Sequence, residues 1–204
     1  VSNLNPAQAA ALVEPSIADI AIHDDLLDLP MQQAVLGFLR GPGWSHGAFS
    51  DPSPDASRYW YKHFAGYAKS GQETHAPDQI EAELAANAPL VAEVWRRLRA
   101  GILSGHALTR CYANGYPFGS EGGVHLDSNI VSHFTAIYYP HQEWRPNFAG
   151  ETVFFNADQS DIIASVYPKP NRLVVFPGVI PHVARGVSRT CPEMRITLMF
   201  KTAS

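Results

Sequence analysis

The stretch GGVHLDSN at residues 122–129 holds a histidine and an aspartate two positions apart, His125 and Asp127. On an extended backbone, residues i and i+2 project to one face, so both side chains can reach a single ion while Leu126 turns to the opposite layer. An imidazole and a carboxylate suit a divalent first-row metal, and a third donor would complete a set gripping the ion from one side. Spacing alone is weak, because His23 and Asp25 repeat it in an ambiguous N-terminal segment. The candidate third ligand is His182 in RLVVFPGVIPHVARGV, where an apolar run and a Pro-Gly turn lead into a histidine. A satisfied turn histidine is the plainer alternative at that position. Further on, Arg195 interrupts MRITLMFK, a strand whose inward positions should be apolar. A guanidinium inside a sheet is costly unless an anion meets it, and its planar fork matches a carboxylate. Thr197 shares its face and can donate one more hydrogen bond. An arginine at an exposed strand end is the plainer alternative here, and Arg185 and Arg189 are the other arginines that could anchor an acid.

These residues need strands to hold them. After Gly105 the texture turns to short runs rich in Val, Ile, Tyr, Phe and Thr, broken by Gly, Pro, Asn and Asp. The predicted strands are ALTRCY, GGVHL, HFTAIYY, ETVFF, IASVYP, NRLVVF, PHVARGV and RITLMFK. With no helical pattern between them, they favour an antiparallel sandwich, jelly roll or barrel. The first hundred residues read as mixed and largely helical, with a short helix near PMQQAVLGFLR stopped by GPGW. Between Asp78 and Leu103 the apolar positions Ile80, Leu84, Val91, Val94, Trp95, Leu98 and Ile102 recur at helical steps, interrupted by Pro89. That predicts two helical pieces or one kinked helix. Residues 50–76 read as a loop region carrying the aromatics Tyr59, Trp60, Tyr61, Phe64 and Tyr67. The expectation is one domain over 1–204, with a helical or mixed support and lid region at 1–104 and a catalytic jelly-roll core at 105–204.

Length and composition narrow the function. The 204 residues carry 46% hydrophobic content and a net charge of −4, enough for a sizeable core and without a basic run for nucleic acid or an anionic membrane. A small, mostly uncharged ligand or a modest protein surface is the better expectation. Cys111 and Cys191 lie far apart with no Cys-x-x-Cys, which suits a reducing cytoplasm and argues against a zinc knuckle or disulfide framework. No basic segment leads into an apolar signal core, and no apolar run has the roughly 18 to 20 residues of a membrane span. A cytoplasmic protein is expected, with its oligomeric state open.

Taken in order, CYANG, GGVHLDS, TAIYY, AGETVFF, NRLVVFPGVIPHVARGV and MRITLMFK resemble the Fe(II)/2-oxoglutarate-dependent oxygenases, most closely their prolyl-hydroxylase-type branch. The resemblance covers roughly residues 108–201 and rests on order and spacing together. It implies an all-β core with supporting helices, a double-stranded β-helix of jelly-roll, cupin-like type with an N-terminal helical layer. It implies that His125, Asp127 and His182 hold Fe(II) and are catalytic through it, and that Arg195 pairs with the distal carboxylate of 2-oxoglutarate. Thr197 completes the family's Arg-x-Ser/Thr pattern, and Tyr112 and Tyr139 match tyrosines placed against the cosubstrate. Tyr138 and Tyr139 alternate faces, so only one can point inward. Ala149 stands where a second glycine is usual, and Arg195 lies farther past its histidine than in many relatives. The implied cofactors are Fe(II), 2-oxoglutarate and O₂, with ascorbate a candidate reductant. The implied reaction is hydroxylation of a C–H bond, or a related oxidation, coupled to decarboxylation of 2-oxoglutarate to succinate and CO₂; Asp127 stands where halogenating relatives carry a small residue.

A small-molecule substrate is the leading expectation, with a prolyl-type protein hydroxylase and a non-catalytic metal-containing jelly-roll module as alternatives. RYWYKHFAGY is a candidate lid whose Lys62 or His63 could meet a polar group, and HQEWRPNFAG is a second candidate rim loop. For the lid aromatics, packing of the helical layer onto the sheet is the competing reading.

Overall fold

The computed structural model describes residues 14–50, 57–66 and 76–204; Tyr67 of the candidate lid lies outside them. Three helices lie on one face of the larger of two antiparallel sheets. Helix α1, Leu29–Arg40, starts where the Asp28 carboxylate accepts the Met31 N–H at 2.9 Å, and it stops at Gly41. Helices α2, Pro77–Asn87, and α3, Pro89–Ala100, are separate. Pro89 cannot continue α2 but suits the first turn of α3, which settles the two-piece expectation. Val91, Val94, Trp95 and Leu98 of α3 are buried on one face, with Ile80 and Leu84 of α2 beside them. Ile102, part of the same predicted stripe, lies past the end of α3 and is 39% exposed.

Ten strands follow the order β1 Ala21–His23, β2 Ser45–Ala48, β3 Tyr59–Ala65, β4 Ala107–Tyr116, β5 His133–Tyr139, β6 Thr152–Phe155, β7 Ile162–Val166, β8 Arg172–Pro177, β9 His182–Ala184 and β10 Arg195–Ala203. Seven form the large sheet in the order β1-β8-β5-β10-β4-β3-β2, and β7-β6-β9 form the small one. Together they make the jelly roll expected from the strand pattern, with the helical layer on its outside.

Period-two alternation assigns each strand residue to a layer. On β10, Ile196, Leu198 and Phe200 join Leu108, Cys111 and Ala113 of β4 and the helical faces in the outer core, where Trp95 stacks on Phe200 at 5.9 Å. Each fully buried Ile, Leu or Phe side chain among them contributes about 1.5–3 kcal/mol. The inward residues Ile137, Tyr139, Val174, Phe176 and Met199 meet Phe154 and Val166 of the small sheet and close part of the barrel. The rest of the interior is polar: Arg110, Tyr112 and Asn114 on β4, Thr135 on β5, Arg195, Thr197 and Lys201 on β10.

Two expectations change. GGVHL is not a strand but part of the loop between β4 and β5, touching β9 through an isolated bridge at His125. Within the stretch expected as a loop, YWYKHFA is β3, paired with β4 through Trp60 opposite Gly115 and His63 opposite Tyr112. Its inward residues are therefore Tyr59, Tyr61 and His63. Lys62 points the other way and donates to the Phe38 carbonyl at 3.0 Å, so it is no candidate for contact inside the barrel. Among the described residues no helix is long and apolar enough to cross a membrane.

Candidate functional site

The loop bearing His125 and Asp127 is laid along the segment from the Pro177-Gly178 turn to β9 by backbone pairing. The Gly122 N–H donates to the Ala184 carbonyl at 2.9 Å, and His125 and His182 exchange N–H···O bonds at 3.1 Å in both directions. The N–H groups of Asp127 and Ser128 both donate to the Gly178 carbonyl, at 2.9 and 3.1 Å. A side chain on Gly178 would put its Cβ 3.1 Å from Ser128 Cβ and 3.3 Å from the His133 carbonyl oxygen, so this approach needs glycine.

Pairing at this register brings three sequence-distant side chains together. Among the described residues, the ligand atoms of His125, Asp127 and His182 form the metal-compatible group, all within 4.8 Å of one another. Each histidine places Nδ1 2.9 Å from a carbonyl, Gly123 for His125 and Ile180 for His182. A carbonyl only accepts, so Nδ1 carries the proton and the Nε2 lone pair is turned inward. His125 Nε2 stands 3.3 Å from Asp127 Oδ1, and His182 Nε2 stands 3.3 Å from Oδ2. Two neutral imidazoles with fixed tautomers and one carboxylate, converging from one side, fit a divalent iron ion with open positions.

The electrostatics point the same way. Burial opposes ionisation of Asp127, but the Lys201 ammonium foremost outweighs it and holds the carboxyl well below its usual range. Burial keeps His182 neutral to lower pH than an ordinary histidine, with Asp127 pulling in the opposite direction. Phe176 lies edge-on to the His182 ring at 4.8 Å and shields it. His23 and Asp25, the pair with the same spacing, lie at the β1 edge of the large sheet, with Asp25 exposed.

A small cavity of about 40 Å³ is bordered both by this cluster and by Arg195, with Tyr112, Asn114, Tyr116, Thr152 and Thr197 among its other walls. Arg195 is 1% exposed. Its Nε donates to the Gly150 carbonyl at 2.5 Å and its terminal nitrogen to Thr152 Oγ1 at 2.9 Å. The rings of Tyr139 and Tyr116 flank the guanidinium at 5.4 and 5.6 Å. Among the described residues no carboxylate forms an ion pair with it, whereas the alternatives Arg185 and Arg189 are exposed. Thr197 is buried on the same inward face. Tyr139 is the inward member of its pair, its hydroxyl 2.7 Å from Thr152 Oγ1, and Tyr138 faces out and donates to Asn171 at 2.9 Å. Tyr112 lines the cavity nearer the histidines, with the Arg110 guanidinium 4.4 Å over its ring. HQEWRPNFAG packs next to the Arg195 end, with Trp144 buried against Val187 and Cys191.

Sequence reasoning missed Thr135, Thr152, Tyr116 and Lys201. Parity could have found three of them: Lys201 is in step with Arg195 and Thr197, Tyr116 with Tyr112, and Thr135 with Tyr139. Thr152 needs the register between sheets.

No protein-family model and no curated protein matches this sequence. Solved structures align over most of it. A prolyl-4-hydroxylase from Pseudomonas putida is 19% identical, with 91% of this chain and 92% of that chain covered and a TM-score of 0.55. An oxidoreductase of the 2OG-Fe(II) oxygenase family from Burkholderia pseudomallei is 15% identical, with 92% and 86% covered and a TM-score of 0.62. HygX from Streptomyces hygroscopicus, solved with nickel and 2-oxoglutarate bound, is 12% identical, with 91% and 82% covered and a TM-score of 0.59. The chain has the fold of these proteins, as the sequence resemblance implied.

Proposed function

We propose that this chain is an Fe(II)- and 2-oxoglutarate-dependent dioxygenase that hydroxylates a C–H bond of a small molecule. The observation that carries this reading is a pairing of opposites across one cavity. A three-donor cluster that fits a divalent metal sits at one end, and a buried guanidinium without an acidic partner among the described residues sits at the other. A buried cation is tolerated when an anion meets it, and a dicarboxylate keto acid carries one end suited to a metal and a second carboxylate suited to an arginine. A purely structural metal would leave Arg195 unexplained.

In this reading His125, Asp127 and His182 hold the iron, and Arg195 holds the distal carboxylate of 2-oxoglutarate. Iron, cosubstrate and O₂ supply the oxidising power, one oxygen atom entering the substrate and the other the succinate, with release of CO₂. The chain's share is placement. Gly150 and Thr152 fix the guanidinium, and Tyr139 and Tyr116 wall it from water. The carbonyls of Gly123 and Ile180 keep both imidazoles in the ligating tautomer. Tyr112 lines the same cavity.

Two cavities border Asp127, one of about 370 Å³ and one of about 420 Å³, in the range of small-molecule sites. The likeness to a prolyl-4-hydroxylase favours a second reading, hydroxylation of a prolyl residue in a peptide. The two free, buried cysteines are compatible with a reducing, cytoplasmic setting. The test is succinate production from 2-oxoglutarate by Fe(II)-loaded protein on admission of O₂, with metabolite pools and proline-containing peptides screened in parallel for +16 mass products. Asp127→Ala is expected to abolish succinate formation, and near-normal turnover in that variant would defeat the reading.

A further inference from the structure

Lys201 ends the inward series Arg195, Thr197, Met199, Lys201 of β10, and its ammonium meets Oδ2 of Asp127. That oxygen also accepts from the Thr135 hydroxyl at 2.6 Å, and Lys201 Nζ donates to Thr135 Oγ1 at 3.0 Å, closing a triangle of contacts. The triangle is largely shut off from water: the side chains of Lys201 and Asp127 are 15% and 9% exposed, and Thr135 is fully buried. Oδ1 faces His125 and meets neither Lys201 nor Thr135, whereas Oδ2 is shared between those two and His182, whose Nε2 is 3.3 Å away. Thr135 alone can orient the carboxylate without adding charge. The ammonium adds a unit of positive charge where a second cation would bind, and at low local dielectric the two compete for one carboxylate. Arg110 lies opposite Lys201 across the β4–β10 pairing and borders the same cavity. Like charges paired across strands repel, which sharpens the dependence of Lys201 on Asp127.

We infer that Lys201 and Thr135 are positioning residues that commit Oδ2 of Asp127 to the protein and leave Oδ1 for the ion, and that the Lys201 ammonium caps the ion's affinity. This rests on the reading of His125, Asp127 and His182 as the iron site. The two partners then differ in sign. Loss of the Thr135 hydroxyl frees the carboxylate to turn and weakens ion binding, whereas loss of the ammonium removes a competing charge and strengthens it. A purely structural pair would weaken binding in both cases.

The test is calorimetric titration of Co(II) into the chelator-stripped full chain at fixed pH and ionic strength. Lys201→Met is expected to bind at least about tenfold tighter than wild type, Lys201→Arg within about threefold of it, and Thr135→Val at least about threefold more weakly. Binding by Lys201→Met that is unchanged or weaker overturns the inference. If that variant lacks a cooperative unfolding transition, Lys201→Gln is judged by the same sign. One-to-one, Asp127-dependent binding without the Lys201→Met gain overturns this inference alone. A wild type without one-to-one binding, or Asp127→Ala binding as tightly as wild type, overturns the proposed function as well.

Discussion

The Nε–H of Arg195 donates to the carbonyl of Gly150 at 2.5 Å, and Gly150 could carry no side chain without disturbing that arginine. An added Cβ would lie 3.0 Å from Arg195 Cδ and 3.3 Å from Val187 Cγ1, on a backbone already at φ +86°. Gly150→Ala should therefore destabilise the fold by about 1–3 kcal/mol and raise the 2-oxoglutarate KM several-fold. Denaturant unfolding and the succinate assay check the two effects separately. An unchanged KM would show that Arg195 is not the cosubstrate anchor, or that it tolerates displacement.

Arg195→Lys should raise the 2-oxoglutarate KM at least about tenfold, since a point charge replaces a planar fork held by Gly150 and Thr152. Steady-state kinetics with varied 2-oxoglutarate decide it. The exposed Arg185 and Arg189 should be replaceable by lysine without a change in KM.

His141 gives a pH signature independent of iron. It is buried, and its Nε2 accepts the Ile196 N–H at 3.0 Å, so it is held neutral. Burial, with help from Arg195 and Arg40, lowers its pKa from 6.5 to about 3. Between those values the unfolded chain takes up a proton that the folded chain refuses. Stability from this residue is thus complete above pH 6.5 and is lost as pH falls toward 3, by up to about 1.4 kcal/mol per pH unit. Unfolding free energies of wild type and His141→Gln should converge on acidification through this window. Parallel curves would contradict the assignment.

Strand β3 offers a test of parity. Phe64 faces the outer core, 2% exposed and 5.7 Å from the Phe38 ring, so Phe64→Ala should cost about 3–5 kcal/mol. Tyr61 faces a cavity beside Asn114, so Tyr61→Ala should shift stability by less than about 1.5 kcal/mol. Equal losses in denaturant unfolding would undo the assignment of faces.

The same strand shows where sequence reading ran short. YWYKHFA alternates correctly, but its inward side is lined by Tyr and His instead of aliphatics, and its outward side includes a lysine that caps α1. Polarity therefore hides the period, and the segment passes for loop. HFTAIYY, with one face in the outer core, was legible to the residue as β5. GGVHL misled in the opposite way, because its apolar character serves an isolated bridge to β9 and not a ladder. At the site, Arg195 was legible from residue type set against strand pattern, and His125 and Asp127 from their spacing, although the segment that holds them is a loop. Thr152 and Gly150 were not, since their contacts with Arg195 exist only once the two sheets face each other.

The reciprocal backbone bonds between His125 and His182 have a consequence for loading. They set the separation of the two rings before any ion arrives, so the large entropy of joining two remote parts of the chain is met during folding. In the proposed iron site, capture would then ask only for small rotations of side chains already facing each other. Amide hydrogen exchange at His125 and His182 should accordingly be slow.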